Sequence, residues 1–136
     1  MWLLFISIIL LEITLNLTRP KTTECIKKHP CALFSLIVHH IANCFLLYGW
    51  ILNNIPLLSI HILVCVSTII YWITNSNLCD ITVYVNRICG WDNKEPFHDL
   101  IYFLGFKKIP LWNSLWHYIL VSLIAFISIY KIRIRR

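Results

Sequence analysis

Apolar positions along the chain fall into four long runs, and polar positions collect between them. The runs cover residues 2–18, 31–52, 55–74 and 110–130. A helix needs about 20 predominantly apolar residues to cross the hydrocarbon core of a bilayer. The pattern therefore predicts an all-α membrane protein: a bundle of four transmembrane helices, with one or two interfacial amphipathic helices between the third and the fourth. Residues 1–136 form a single transmembrane domain in this reading, with 75–109 as its surface loop. Aromatic residues mark the predicted interfaces: Tyr48 and Trp50, Tyr71 and Trp72, then Trp112, Trp116 and Tyr130. Asn53-Asn54 followed by Pro56 predicts a tight turn with proline opening the next helix. The second and third helices thus make an antiparallel hairpin.

The first run has neither the basic n-region nor the small-residue cleavage site of a signal peptide, so a retained helix is expected, with cleavage as the alternative. Glu12 in this run should face other helices or an interface, because a carboxylate in lipid is costly. Asn16-Leu17-Thr18 fits the glycosylation pattern. It hugs the membrane in this reading and is expected to go unused.

Between the runs, residues 19–30 read as a short basic loop bracketed by Pro20 and Pro30, a determinant of topology. In the longer polar stretch, Leu78, Ile81, Val85 and Ile88 recur at helical spacing. They predict an interfacial amphipathic helix over 78–89, with Asn77 and Asp80 as an N-cap pair and Gly90 as the stop. The alternation Ile81, Val83, Val85 also admits a strand. Pro96 opens a second amphipathic piece that Gly105 closes. Its Phe97, Leu100, Ile101 and Leu104 are expected to be buried against the membrane or the bundle. Asn75, Asn77, Asp80, Phe97, His98 and Asp99 make up the candidate contact surface for a partner.

Four helices place residues 19–30 and 75–109 on one side, with both termini and the Asn53-Asn54 turn on the other. Counting Lys and Arg in the loops puts the loops inside. The uninterrupted basic tail KIRIRR favours cytoplasmic termini, and this is the orientation adopted. Composition supports the membrane class. The chain is 59% hydrophobic and only 13% charged, where a soluble domain carries about 25% charged residues. The net charge of +6 stands in short clusters beside the apolar runs, so it describes topology and excludes nucleic acid as a partner. The expected partners are the lipid bilayer and, within it, further copies of the chain or other membrane proteins.

Cys25, Cys31, Cys79 and Cys89 fall on the loop side and are the candidates for disulfides if that side is oxidising; free thiols in a reducing compartment are the alternative. Cys79 and Cys89 cannot pair across one straight helix. Ten residues separate them by roughly 15 Å, and a bridge needs Cα atoms within about 7 Å.

Ionisable residues inside a membrane are functional candidates by default. His39 and His40 lie in the second helix, His61 in the third and His117 in the fourth. His40 and Cys44 share a helix face, as do His61 and Cys65, each pair being four residues apart. His and Cys ligate zinc, copper and haem. At 1.5 Å per residue, His39 and His40 lie roughly 12–14 Å from the loop side and His117 roughly 10 Å. They share a level, as two axial haem ligands would. Cys44 and Cys65 also share a level. The plainer reading is that these side chains hydrogen-bond backbone, Asn43, Ser67 or Thr68 between helices. No C-x-x-C, C-x-x-C-H or H-E-x-x-H motif accompanies them, so no cofactor is predicted; haem or a metal ion is the alternative. A proton or ion pathway through the histidines and Glu12 is a third reading.

The stretch W-I-T-N-S-N-L-C-D-I-T, followed by N-R-I-C-G-W and P-F-H-D-L, resembles small uncharacterised membrane proteins of large DNA viruses. It is also similar to a bacterial membrane family of unknown function in which Cys-x-x-Thr follows a membrane helix. Trp72, Asn75, Asn77, Cys79, Thr82, Cys89, Gly90, Phe97 and Asp99 carry the resemblance, which covers roughly residues 39–106. It implies architecture and a viral source but no activity. In the absence of a nucleophile–base spacing, the sequence favours a non-enzymatic structural, assembly or membrane-remodelling component. An intramembrane haem or metal redox protein and a small channel or proton conductor are the alternatives.

Overall fold

The computed structural model describes residues 1–75, 79–91 and 116–135, and all regular structure among them is helical. Helix α1 spans Trp2–Leu17, α2 Pro20–Lys28, α3 Pro30–Tyr48, α4 Ile55–Thr74, α5 Asp80–Cys89 and α6 Trp116–Arg133; a 3-10 turn, Gly49–Ile51, extends α3. The segments Pro30–Ile51 and Ile55–Thr74 are each long and apolar enough to cross a membrane. The count rises to three if α1 and α2, bent 86° from each other, make one span.

Many large apolar side chains face outward, and several polar ones are buried beside an apolar core. Leu3 is 82% exposed, Phe34 71%, Leu63 66% and Phe126 66%. Glu12, Asn16, His40, His61, Asn86 and Ser128 are buried. Exposed apolar residues together with buried, bonded polar ones suit a chain in lipid, where polar groups find partners only within the bundle.

Proline and asparagine set the helix starts. Pro20, Pro30 and Pro56 each sit in the first turn of their helix, where the missing N–H costs nothing. The Asn54 side chain caps α4 by accepting from the Leu57 amide at 3.1 Å. The expected basic loop 19–30 is instead the helix α2. Thr22 and Cys25 form its buried stripe, Pro20 presets its first turn, and Lys27 and Lys28 lie favourably at its C-terminal end. Bent off α1, α2 packs through Cys25 with Ala32 and Leu36 of α3.

Helix α5 forms where helical spacing placed it, and the strand alternative is not taken. Its N-cap is Cys79, without a side-chain cap bond; Asn77 lies outside the described residues. Gly90 ends it with φ 66°, the left-handed conformation that glycine adopts without strain. The packing partners of α5 lie on α2 and α3. Ile81, Val85, Ile88 and Cys89 pack with Cys25, Ala32 and Leu36. Cys79 lies against His39 and Tyr84 against Cys31. Helix α5 therefore runs back along α3 toward α2, and a disulfide joins Cys25 to Cys89 with Cα atoms 5.4 Å apart.

The opposite end is tied as well. Lys131 Nζ donates to the Trp50 carbonyl at 2.8 Å and Arg135 Nη1 to the Asn53 carbonyl at 2.6 Å. Asn53 Nδ2 lies 3.0 Å from Met1 Sδ. Met1, the Asn53-Asn54 turn and Arg135 therefore gather at one end, and the disulfide stands at the other. The proposed piece from Pro96, with Phe97, His98 and Asp99, lies outside the described residues.

Candidate functional site

Two buried histidine clusters hold the bundle's polar interior. The first joins α1 to α3. Glu12 and Asn16 are four apart on α1, and His40 and Cys44 are four apart on α3, so each pair projects from one face. Glu12 Oε2 lies 3.0 Å from His40 Nδ1, and Cys44 Sγ donates to the same oxygen at 3.2 Å. Asn16 Nδ2 donates to the Glu12 carbonyl at 2.9 Å. Glu12, Asn16, His40 and Cys44 are all 0% exposed. That Asn16 bond and its burial leave no room for glycosylation at the Asn-Leu-Thr pattern. His39 meets His40 edge to face at 5.4 Å between ring centres, and Cys79 Sγ lies 3.6 Å from His39 Nδ1.

The second cluster joins α3, α4 and α6. His61 Nε2 lies 3.0 Å from the Leu46 carbonyl, and Nδ1 lies 2.9 Å from Ser128 Oγ. A carbonyl can only accept, so Nε2 carries a proton, and in the neutral ring Nδ1 accepts from the Ser128 hydroxyl. Cys65 Sγ lies 3.6 Å from Nε2, and Phe45 packs edge-on against the ring at 5.5 Å. Gly49 makes this possible: a Cβ there would come within 2.5 Å of His61 Cδ2.

Cys44 and Cys65, placed at one level by the sequence, belong to these two separate clusters. His40 and His117 are likewise held apart in their bonding. His117 packs against the Trp72 ring at 5.7 Å, and Trp72 also meets Tyr118 at 6.0 Å. Among the described residues, no three His, Cys, Asp or Glu side chains converge as ligands of one metal ion.

Of the disulfide candidates, Cys25 and Cys89 are bonded to each other, while Cys31 and Cys79 are thiols. Of the contact-surface candidates, Asn75 and Asp80 form a corner with Tyr71. Asn75 Nδ2 donates to Asp80 Oδ1 at 3.1 Å, and the Asp80 amide donates to the Tyr71 hydroxyl oxygen at 3.2 Å. Hydrogen bonds from the Tyr71 hydroxyl and from Asn75 hold the Asp80 carboxyl below the usual carboxylate range. Asn77, Phe97, His98 and Asp99 lie outside the described residues.

The sequence singled out Glu12 and both His–Cys pairs but not their partners. His61 bonds backbone, the Leu46 carbonyl, as expected, and its side-chain partner is Ser128 rather than Asn43, Ser67 or Thr68. Ser128 is a hydroxyl in a mostly apolar run, a signal it shares with Ser114 and Ser122; the Leu46 carbonyl carried none. No protein-family model, curated protein or solved structure matches the chain.

Proposed function

We propose that the chain is a multi-pass membrane protein of four crossing helices and that it acts as a structural, assembly or membrane-remodelling component, of the kind that large DNA viruses carry. The observation behind this reading is the use of the buried polar groups. Glu12, His40 and Cys44 tie α1 to α3, and His61 ties α3 and α4 to α6. Such bonds fasten helices where lipid supplies no hydrophobic drive between them. Cys25–Cys89 favours an oxidising compartment for the α2–α5 end. That orientation leaves Lys131, Arg133 and Arg135 at the cytoplasmic end, as the positive-inside rule prefers. Impermeant thiol labelling of Lys27→Cys and Ile134→Cys, each on a background with Cys31 and Cys79 changed to serine, tests it. Labelling of only the first from outside the cell is expected; labelling of both from one side excludes four crossings.

One observation favours a second reading. Glu12 and His40 form a buried carboxylate–imidazole pair that can hold one proton between them, and such pairs serve proton relays in membranes. Proton flux into liposomes that contain the wild type, abolished in Glu12→Gln, would support conduction. Flux no greater than in empty liposomes would leave the structural reading.

A further inference from the structure

A row of polar side chains leads from the start of α5 into the buried pair shared by α1 and α3. Asp80 opens α5 and is exposed, and Cys79 before it is half-buried. An exposed carboxylate is not left in lipid, so this end of the row meets water. Cys79 Sγ lies 3.6 Å from His39 Nδ1. His39 is also half-buried, and its ring meets that of His40 edge to face at 5.4 Å. His40 Nδ1 lies 3.0 Å from Glu12 Oε2, and both residues are 0% exposed. Exposure thus falls in order from Asp80 through Cys79 and His39 to the pair. Helix α5 is pinned along α3 by Val85 against Ala32 and Leu36 and by the Cys25–Cys89 disulfide, which sets Cys79 opposite His39.

We infer that His39 is the relay by which protons from water reach the buried Glu12–His40 pair, and that the Cys79 side chain gates the Nδ1 side of its ring. This deepens the proton-relay reading and rests on it only for the capacity of the pair to take up a proton. A neutral imidazole accepts a proton on one ring nitrogen and releases one from the other. A carboxylate beside a neutral imidazole carries one negative charge. With the Cys79 thiol turned aside, His39 Nδ1 takes a proton from water. His39 then yields one to the pair, whose charge falls to zero while His39 returns to neutral. Rotation of the ring or one water molecule between the adjacent rings completes the hand-over. Two other polar neighbours of the pair offer no entrance. Cys44 donates to Glu12 but is itself 0% exposed. Asn16, equally buried, has an amide that does not ionise.

The test uses the full chain, disulfide intact, and follows proton uptake by time-resolved infrared spectroscopy after a downward pH jump. The Glu12 carboxylate band is identified as the one missing from Glu12→Gln. Its loss in the wild type reports arrival of the proton, whether or not the protein conducts. In His39→Phe, which keeps a ring of similar shape without nitrogens, uptake should slow about tenfold, a barrier higher by about 1.4 kcal/mol. Alkylating Cys79 with N-ethylmaleimide in a Cys31→Ser protein should slow it similarly, because the added bulk covers Nδ1 of His39. Cys79→Ala with Cys31→Ser should keep the wild-type rate with or without the reagent. Where His39→Phe does not fold, the alkylated protein decides. Uptake at the wild-type rate in His39→Phe or in the alkylated protein would overturn the route while leaving the pair as a proton-holding site. A Glu12 band that stays unchanged after the jump in the wild type would overturn the proton-relay reading itself, and the route with it.

Discussion

Glu12 on α1 and His40 on α3 meet at 3.0 Å between Oε2 and Nδ1, with neither side chain exposed. The two residues are 28 positions apart, and the contact closes α1 onto the helical hairpin that follows. Removing one partner of a buried pair leaves the other without compensation and costs about 3–5 kcal/mol, whereas replacing both with apolar residues is often neutral. Glu12→Leu alone should therefore lower the midpoint of unfolding in detergent markedly. Glu12→Leu with His40→Leu should recover most of the loss. A double mutant as unstable as the sum of the singles would mean that the two residues act independently.

Gly49 and His61 form a second pair, one of shape. The glycine is there because its neighbour's ring fills the space a Cβ would take. Gly49→Ala should displace His61 from the Leu46 carbonyl and cost about 1–3 kcal/mol through overpacking. His61→Ala removes the ring and with it the obstacle. In that background Gly49→Ala should be nearly silent, which a four-member thermal-unfolding cycle measures. Equal penalties in both backgrounds would show that the ring is not what restricts position 49.

The central helices were legible because their apolar runs are long and their starts carry proline and asparagine. Ile55–Thr74 matches the run read from sequence residue for residue. The four-residue spacing of His40 with Cys44 and of His61 with Cys65 gave the faces that carry the polar interior. What spacing within one helix cannot give is the partner across the interface. Glu12 was marked as facing other helices, yet nothing in the pattern of α1 points to His40. Helix α2 was hidden for a different reason. Its nine residues are mostly polar, and only the burial of Thr22 and Cys25 beneath α3 and α5 reveals an amphipathic helix where charge density suggested a loop. The Cys25–Cys89 pairing was one of several open choices until α5 was seen to run back along α3.

The disulfide bridges a sequence separation of 64 residues. Loop-closure entropy alone would assign such a bridge roughly 4 kcal/mol in water. A bilayer already confines the helices between the two cysteines, so the unfolded reference state is less free than that figure assumes. Changing Cys25 and Cys89 together to serine should accordingly lower stability by less than this, and the two variants Cys25→Ser and Cys89→Ser should match the double. In detergent, where confinement is weaker, the loss should be larger than in bilayers. Comparing unfolding midpoints in the two media checks this; identical losses would mean that membrane confinement contributes nothing.

Asp80 provides a pH test at the exposed corner with Tyr71 and Asn75. Its carboxyl is held below the usual range, first by the Tyr71 hydroxyl and then by Asn75. A carboxyl whose folded value lies below its unfolded value contributes stability above the unfolded value and loses it as pH falls through the folded one. With an ordinary Asp value of about 3.9, the contribution should be complete at neutral pH and disappear only in strongly acidic solution. Solvent screening at this exposed position keeps it small. Asp80→Asn should therefore lower the unfolding midpoint slightly at neutral pH and not at all below the folded value. Carbon-detected NMR of the Asp80 carboxyl in micelles should show a titration midpoint below that of a model peptide. Tyr71→Phe, which deletes the larger of the two hydrogen bonds and leaves Asn75 in place, should move that midpoint upward. An unchanged midpoint in Tyr71→Phe would show that the hydroxyl does not bond the carboxylate, and the corner would then rest on Asn75 alone.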